Sequence, residues 1–237
     1  MNNKDKTGLY LMVQPLLKNE SPEKVTKDIF AALPPSPENL AYVEAIQGPT
    51  PMIYQRLSAL RCLMLLLREF YPRALPSLRL SRDTQGRPLA EIQEQGHIPF
   101  DFNLSHTSLY VGCALRIGTQ RIGLDIEDMI PMDRAKKLST RFFTPCEQQY
   151  LSSIANESTF SHEATRIWTT KEALSKQDGH GFPIAFDSTA DYPQLSVKHA
   201  YLLHDLQIPQ GMMTLCVPVE TPSPLLAADS LPVQWIN

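Results

Sequence analysis

The chain has 237 residues, 43% hydrophobic and 20% charged, which is enough to bury a core as one large domain or two small ones. A formal net charge of −3 excludes a general nucleic-acid or polyanion binder, and it hides an asymmetry: residues 1–120 carry 13 basic against 11 acidic side chains, residues 121–237 carry 9 against 14. Cysteines at 62, 113, 146 and 216 form no C-x-x-C pattern, the N-terminus is polar, and the longest apolar run is only Cys62 to Leu67, so a zinc site, a disulfide framework, an export signal and a membrane span are all unexpected and the cytoplasm is the expected location.

Prolines crowd residues 15–51, which reads as a loop-rich start. From Tyr54 to Tyr71 the pattern is helical, with Leu57, Leu60, Met64 and Leu67 on one stripe and Pro72 as the stop. Phe102-Asn103-Leu104-Ser105-His106-Thr107 brings the hydrogen-bonding side chains of Asn103, Ser105 and His106 to the start of the apolar run 109–117, with a plain polar turn entering that run as the bland alternative. That run and the alternating segment 121–127 predict two strands joined as a hairpin through Gly118-Thr119-Gln120. A helix is predicted over Asp133–Phe143. Thr144-Pro145-Cys146-Glu147 then fits a capping box opening a helix to about Ile154. A third helix runs from His162 to Gln177, closed by Gly179, and prolines from about residue 218 suggest a loosely held tail.

The chemistry is concentrated in Ile122-Gly123-Leu124-Asp125-Ile126-Glu127. A period of two sends Asp125 and Glu127 to the same face of a strand. Two such acids repel unless a cation lies between them, and a hard divalent ion such as Mg²⁺ is the usual resolution; two solvated acids on an exposed face are the bland alternative. Trp168, Lys171, Glu172 and Lys176 fall at i, i+3, i+4 and i+8 of the third helix and so lie along one side. An ordinary surface ion pair from Glu172 to Lys176, with Trp168 in the core, would produce the same spacing.

Taken together the segments resemble the Sfp-type 4'-phosphopantetheinyl transferases. The shared motifs stand here as Gly86-Arg87-Pro88, Phe102 to His106, Ile122 to Glu127, Arg141-Phe142-Phe143 leading into Glu147, and Trp168 to Lys176, covering about Arg56 to Phe182. The resemblance implies an α+β fold of two similar halves, each a small three-stranded sheet packed with a long helix and related by a pseudo-twofold, here 1–118 and 119–237. It implies transfer of phosphopantetheine from coenzyme A to a serine of an apo carrier protein, releasing 3',5'-ADP, by an enzyme of the holo-[acyl-carrier-protein] synthase type that acts as a monomer.

By the same resemblance Asp125, Glu127 and Glu172 ligate Mg²⁺, with Mn²⁺ as an alternative. Glu172, or a metal-bound water near Glu127, serves as base, and Lys171 and Lys176 contact phosphate, Lys176 within the catalytic set. Arg56, Arg87, Ser105 and His106 hold the 3'-phosphate region of coenzyme A. Arg134, Lys136, Lys137 and Arg141 are candidates for docking an acidic carrier. One departure from the family pattern is that residues 28–55 contain no lysine or arginine. Two rival functions share these residues: a magnesium-dependent phosphohydrolase, and a catalytically silent module that binds coenzyme A or a carrier.

Overall fold

The computed structural model describes residues 8–17, 20–93, 99–179, 201–218 and 233–235. It divides into two compact units, residues 1–122 with 229–237, and residues 123–228. The chain mixes helices and strands, as an α+β class requires. Among the described residues no helix is long and apolar enough to cross a membrane.

In the first unit, strand β1 (Leu9–Pro15) precedes helices α1 (Pro22–Phe30), α2 (Pro37–Glu44) and α3 (Thr50–Phe70), and a short 3-10 turn over Pro72–Ser77 follows. The proline-rich start is therefore not mainly loop. Ser21 and Ser36 accept hydrogen bonds from the backbone N–H of Lys24 and Asn39, each with proline next in sequence, so these prolines open helices. Strands β2 (Leu78–Arg82) and β3 (Pro88–Ile92) form a separate antiparallel pair. Strands β4 (Phe100–His106) and β5 (Tyr110–Ile117) join β1 and strand Val233–Trp235 in a sheet of order β4-β5-β1 and then that last strand. Thus Phe102–His106 is strand, and only Thr107 onward is turn, its Oγ1 accepting from the N–H of Leu109 and Tyr110. The long helix α3 packs its buried Leu57, Leu60, Met64 and Leu67 against this sheet.

In the second unit, strand β6 (Gly123–Asp128) leads to helices α4 (Met132–Phe142), α5 (Pro145–Ser152) and α6 (Glu157–Asp178), then strands β7 (Tyr201–Ile208) and β8 (Gly211–Pro218). The expected hairpin between residues 109–117 and 121–127 does not form. β5 is enclosed by β4 and β1, while β6 pairs antiparallel with β8 in a three-stranded sheet of order β6-β8-β7. Both strands exist where the apolar run and the alternation placed them, but such local patterns report strands and faces and not neighbours. The strand Val233–Trp235 (β9) pairs parallel with β1, so part of the presumed tail belongs to a sheet; residues 219–232 lie outside the described residues.

The capping box forms as predicted. Thr144 Oγ1 accepts from the N–H of Glu147 and Glu147 Oε2 accepts from the N–H of Thr144. Gly179 ends α6 in the left-handed conformation at φ 80°.

Candidate active site

Strand β6 lies at the edge of its sheet and against α6. The approach is so close at Gly123 that a Cβ there would sit 1.9 Å from the carbonyl oxygen of Ala173 and 2.7 Å from the amide nitrogen of Gln177. Glycine at this position is what lets the helix come down onto the strand. Leu124 and Ile126 are buried, as the alternation required. Asp125 is buried too, at 4% exposure, and Glu127 is half-buried, so the picture of two solvated acids fails.

Each β6 acid is gripped by one residue of α6. Lys176 Nζ donates to Asp125 Oδ1 at 2.7 Å and to the carbonyl of Leu124 at 3.0 Å. Trp168 Nε1 donates to Glu127 Oε1 at 2.9 Å. Glu172, half-buried on the same helix, shares their electrostatic field. Burial, and then the charge of Asp125, pushes the Glu127 carboxyl up to about 7 against the pull of Trp168, Arg134 and Lys176. Burial and Asp125 push Glu172 up to about 7 as well, with Glu127 adding to the effect and Lys176 opposing it. Two carboxyls of ordinary chemistry are thus held near neutral pH by desolvation and by a shared excess of negative charge.

That excess, presented by carboxylate oxygens alone, is the donor chemistry a hard divalent cation takes. Among the described residues no three such side chains are already gathered as a finished metal cage. Mg²⁺ does not need one, because it keeps several waters and takes one or two carboxylates together with substrate phosphates. The residues present therefore fit Mg²⁺ by charge and donor type.

Lys171 differs from the expectation of a helix face open to phosphate. It is fully buried, its Nζ 3.0 Å from Glu147 Oε2 and near the ring of Phe143. The capping-box acid thus does a second task, tying α5 to α6. Trp168 packs on Phe142, ring centroids 5.4 Å apart, and Thr165 Oγ1 accepts from the N–H of Ile130, anchoring the segment after β6.

The remaining predicted residues belong to the first unit. Arg87 is buried, not a surface charge: one guanidinium nitrogen sits 2.7 Å from Asp101 Oδ2 and 3.1 Å from the carbonyl of Ile122. Asp101 Oδ2 also accepts from the N–H of Ile122. Arg56 is exposed and donates to the carbonyl of Gln47 at 3.0 Å. Ser105 is buried and His106 half-buried in β4, opposite Gly112 and Val111 of β5. Asp101, Glu147 as an ion partner and the indole of Trp168 as a donor escape sequence reasoning; only Trp168, already on the shared helix side, carries a signal that could have found it.

The second unit is therefore an antiparallel sheet covered by a long helix, with a paired-carboxylate site on its edge strand. A sequence model of the 4'-phosphopantetheinyl transferase superfamily matches residues 121–209. The chain is 30% identical over 165 residues to the 4'-phosphopantetheinyl transferase HetI of Nostoc sp., an alignment covering 68% of this chain and 66% of that protein. It is 32% identical over 160 residues to AcpT of Escherichia coli, covering 63% and 75%. Similarity to Sfp of Bacillus subtilis is 32% over 114 residues, covering 47% and 46%. The chain belongs to the 4'-phosphopantetheinyl transferase superfamily, and its match spans just under two thirds of the length of the cyanobacterial relative.

Proposed function

We propose that this protein transfers the 4'-phosphopantetheine group of coenzyme A to a serine hydroxyl of an apo carrier protein, in the cytoplasm and as a monomer. The observation that carries the reading is the strand pair Asp125 and Glu127 sharing one electrostatic field with Glu172, in a chain of this family. The sheet-and-long-helix plan found in each unit supports a reading as two similar halves.

In this reaction the serine oxygen attacks the β-phosphorus of coenzyme A. The bond from that phosphorus to the bridging oxygen breaks, and 3',5'-ADP leaves. Asp125, Glu127 and Glu172 would hold Mg²⁺, which when bound supplies charge stabilisation to the pyrophosphate oxygens. Glu172 accepts the serine proton. Lys176 holds Asp125 and sets the local charge. Arg87, Arg56, Ser105 and His106 serve the nucleotide end of coenzyme A, where a guanidinium suits a phosphate. Exposed Arg134, Lys136, Lys137 and Arg141 on α4 offer a positive surface to an acidic carrier.

The test is intact-mass spectrometry of a panel of apo carriers incubated with the protein, coenzyme A and Mg²⁺. The expected result is a phosphopantetheine mass gain on at least one carrier, lost with chelator and in Asp125→Ala and Glu172→Gln. Coenzyme A bound but no carrier labelled points to a silent module. Coenzyme A consumed without labelling points to a hydrolase. Either result overturns the proposal.

A further inference from the structure

The transferase reading leaves Trp168 without a task beyond packing. Its ring is 6% exposed, in a core with Phe142 and Phe143. A buried indole brings a polar N–H that must find an acceptor. In a purely structural site a backbone carbonyl would serve. The acceptor here is instead the carboxylate of Glu127, 41 residues earlier in the chain, at 2.9 Å.

The two grips on β6 differ in kind. Lys176 holds Asp125 with a full positive charge, which competes with any cation for that carboxylate. Trp168 holds Glu127 with a neutral donor, which fixes the group and leaves its negative charge in place. The bond engages Oε1; among the described residues Oε2 carries no hydrogen bond. A glutamate has three rotatable side-chain bonds, and this one is repelled by Asp125. Without a fixed donor it has every reason to swing away from its neighbour. A donor on one oxygen stops that motion and aims the other oxygen.

We propose that Trp168 is a positioning residue whose indole N–H holds Glu127 Oε1 so that Oε2 is aimed to take a divalent cation. The proposal rests on the transferase reading for its purpose, but it makes a separable statement about cation affinity. Outer partners of metal-ligating groups typically set affinity by about 10- to 100-fold.

The experiment uses the full chain and Mg²⁺ alone. Trp168→Phe keeps an aromatic ring in the pocket and removes the N–H. Calorimetric titration is expected to show Mg²⁺ bound about 10-fold more weakly than by wild type, with the melting temperature little changed. In the transfer assay the Mg²⁺ requirement should rise by a similar factor while KM for coenzyme A at saturating Mg²⁺ stays put. Unchanged Mg²⁺ affinity in a folded Trp168→Phe protein overturns the proposal. A second measurement needs no destabilising variant: in ¹⁵N-tryptophan wild type, the chain's two indole N–H signals are assigned with Trp235→Phe. The Trp168 signal should shift on Mg²⁺ titration, and a signal unmoved while Mg²⁺ binds overturns the proposal even if Trp168→Phe fails to fold. Wild type that binds Mg²⁺ with these signatures but labels no carrier sinks the transferase reading and leaves the positioning role standing.

Discussion

Gly123→Ala is a one-carbon change with a large expected effect. The added Cβ would stand 1.9 Å from the Ala173 carbonyl oxygen, 2.7 Å from the Gln177 nitrogen and 2.9 Å from the Gln177 Cβ. Backbone atoms cannot rotate out of the way, so β6 must withdraw from α6 by roughly 1 Å to restore ordinary contact. Overpacking of this kind costs about 1–3 kcal/mol, and the upper end applies where the obstacle is main chain. For a chain of this size that lowers the melting temperature by about 6–12 °C. The same withdrawal stretches the 2.7 and 3.0 Å contacts of Lys176 with Asp125 and Leu124. A misplacement near 1 Å at a reacting constellation can reduce turnover about 100-fold. Thermal melts and the carrier-labelling rate measured on the same preparation test both consequences. A variant that melts within about 1 °C of wild type and labels carriers at the wild-type rate would refute the close-packing argument.

Without metal, the Glu127 and Glu172 carboxyls at about 7 lie above their unfolded value near 4.3, so the folded state binds more protons between those limits. Stability should therefore fall as pH rises from about 5 to about 8, by on the order of 3 kcal/mol after discounting by about half for solvent screening and mutual coupling. Added Mg²⁺ should restore stability more at pH 8 than at pH 5.5; equal shifts in the melting temperature at both values would contradict this. Lys171→Met leaves Glu147 buried without its ammonium and should cost about 3–5 kcal/mol, while the double change Lys171→Met with Glu147→Leu should recover most of it. If the double variant regains stability but its KM for coenzyme A rises 10-fold or more, Lys171 contacts phosphate after all. Reversing Lys136 and Lys137 to glutamate should raise KM for an acidic carrier several-fold at low salt, with the difference shrinking as salt rises; a salt-independent change would argue against docking on α4.

Local rules carried much of this structure and failed where a second element decides. The alternation at 122–127 correctly separated buried Leu124 and Ile126 from the acids, because period-two geometry belongs to the strand itself. It could not say that β6 pairs with β8, a partner lying far along the chain. The capping box was legible in four consecutive residues, whereas the ion pair from its Glu147 to Lys171 depends on how α5 meets α6. Helix geometry explains the misplaced face. At about 100° per residue, Glu172 and Lys176 lie about 40° apart around α6, but Lys171 lies about 140° from Lys176 and turns into the core. Prolines before Glu23 and Glu38 signalled loops when weighed by composition and helix starts when weighed with the preceding serines.

The parallel pairing of β9 with β1 bears on how the chain is made. A ribosome makes β1 before, and β9 after, the whole of residues 123–228. Until β9 arrives, β1 presents an uncovered row of backbone donors and acceptors, the kind of edge on which other chains can pair. The unit that holds β1 is thus completed only after the other unit has been made, and β9 works as a clasp that closes once residues 123–228 have been passed.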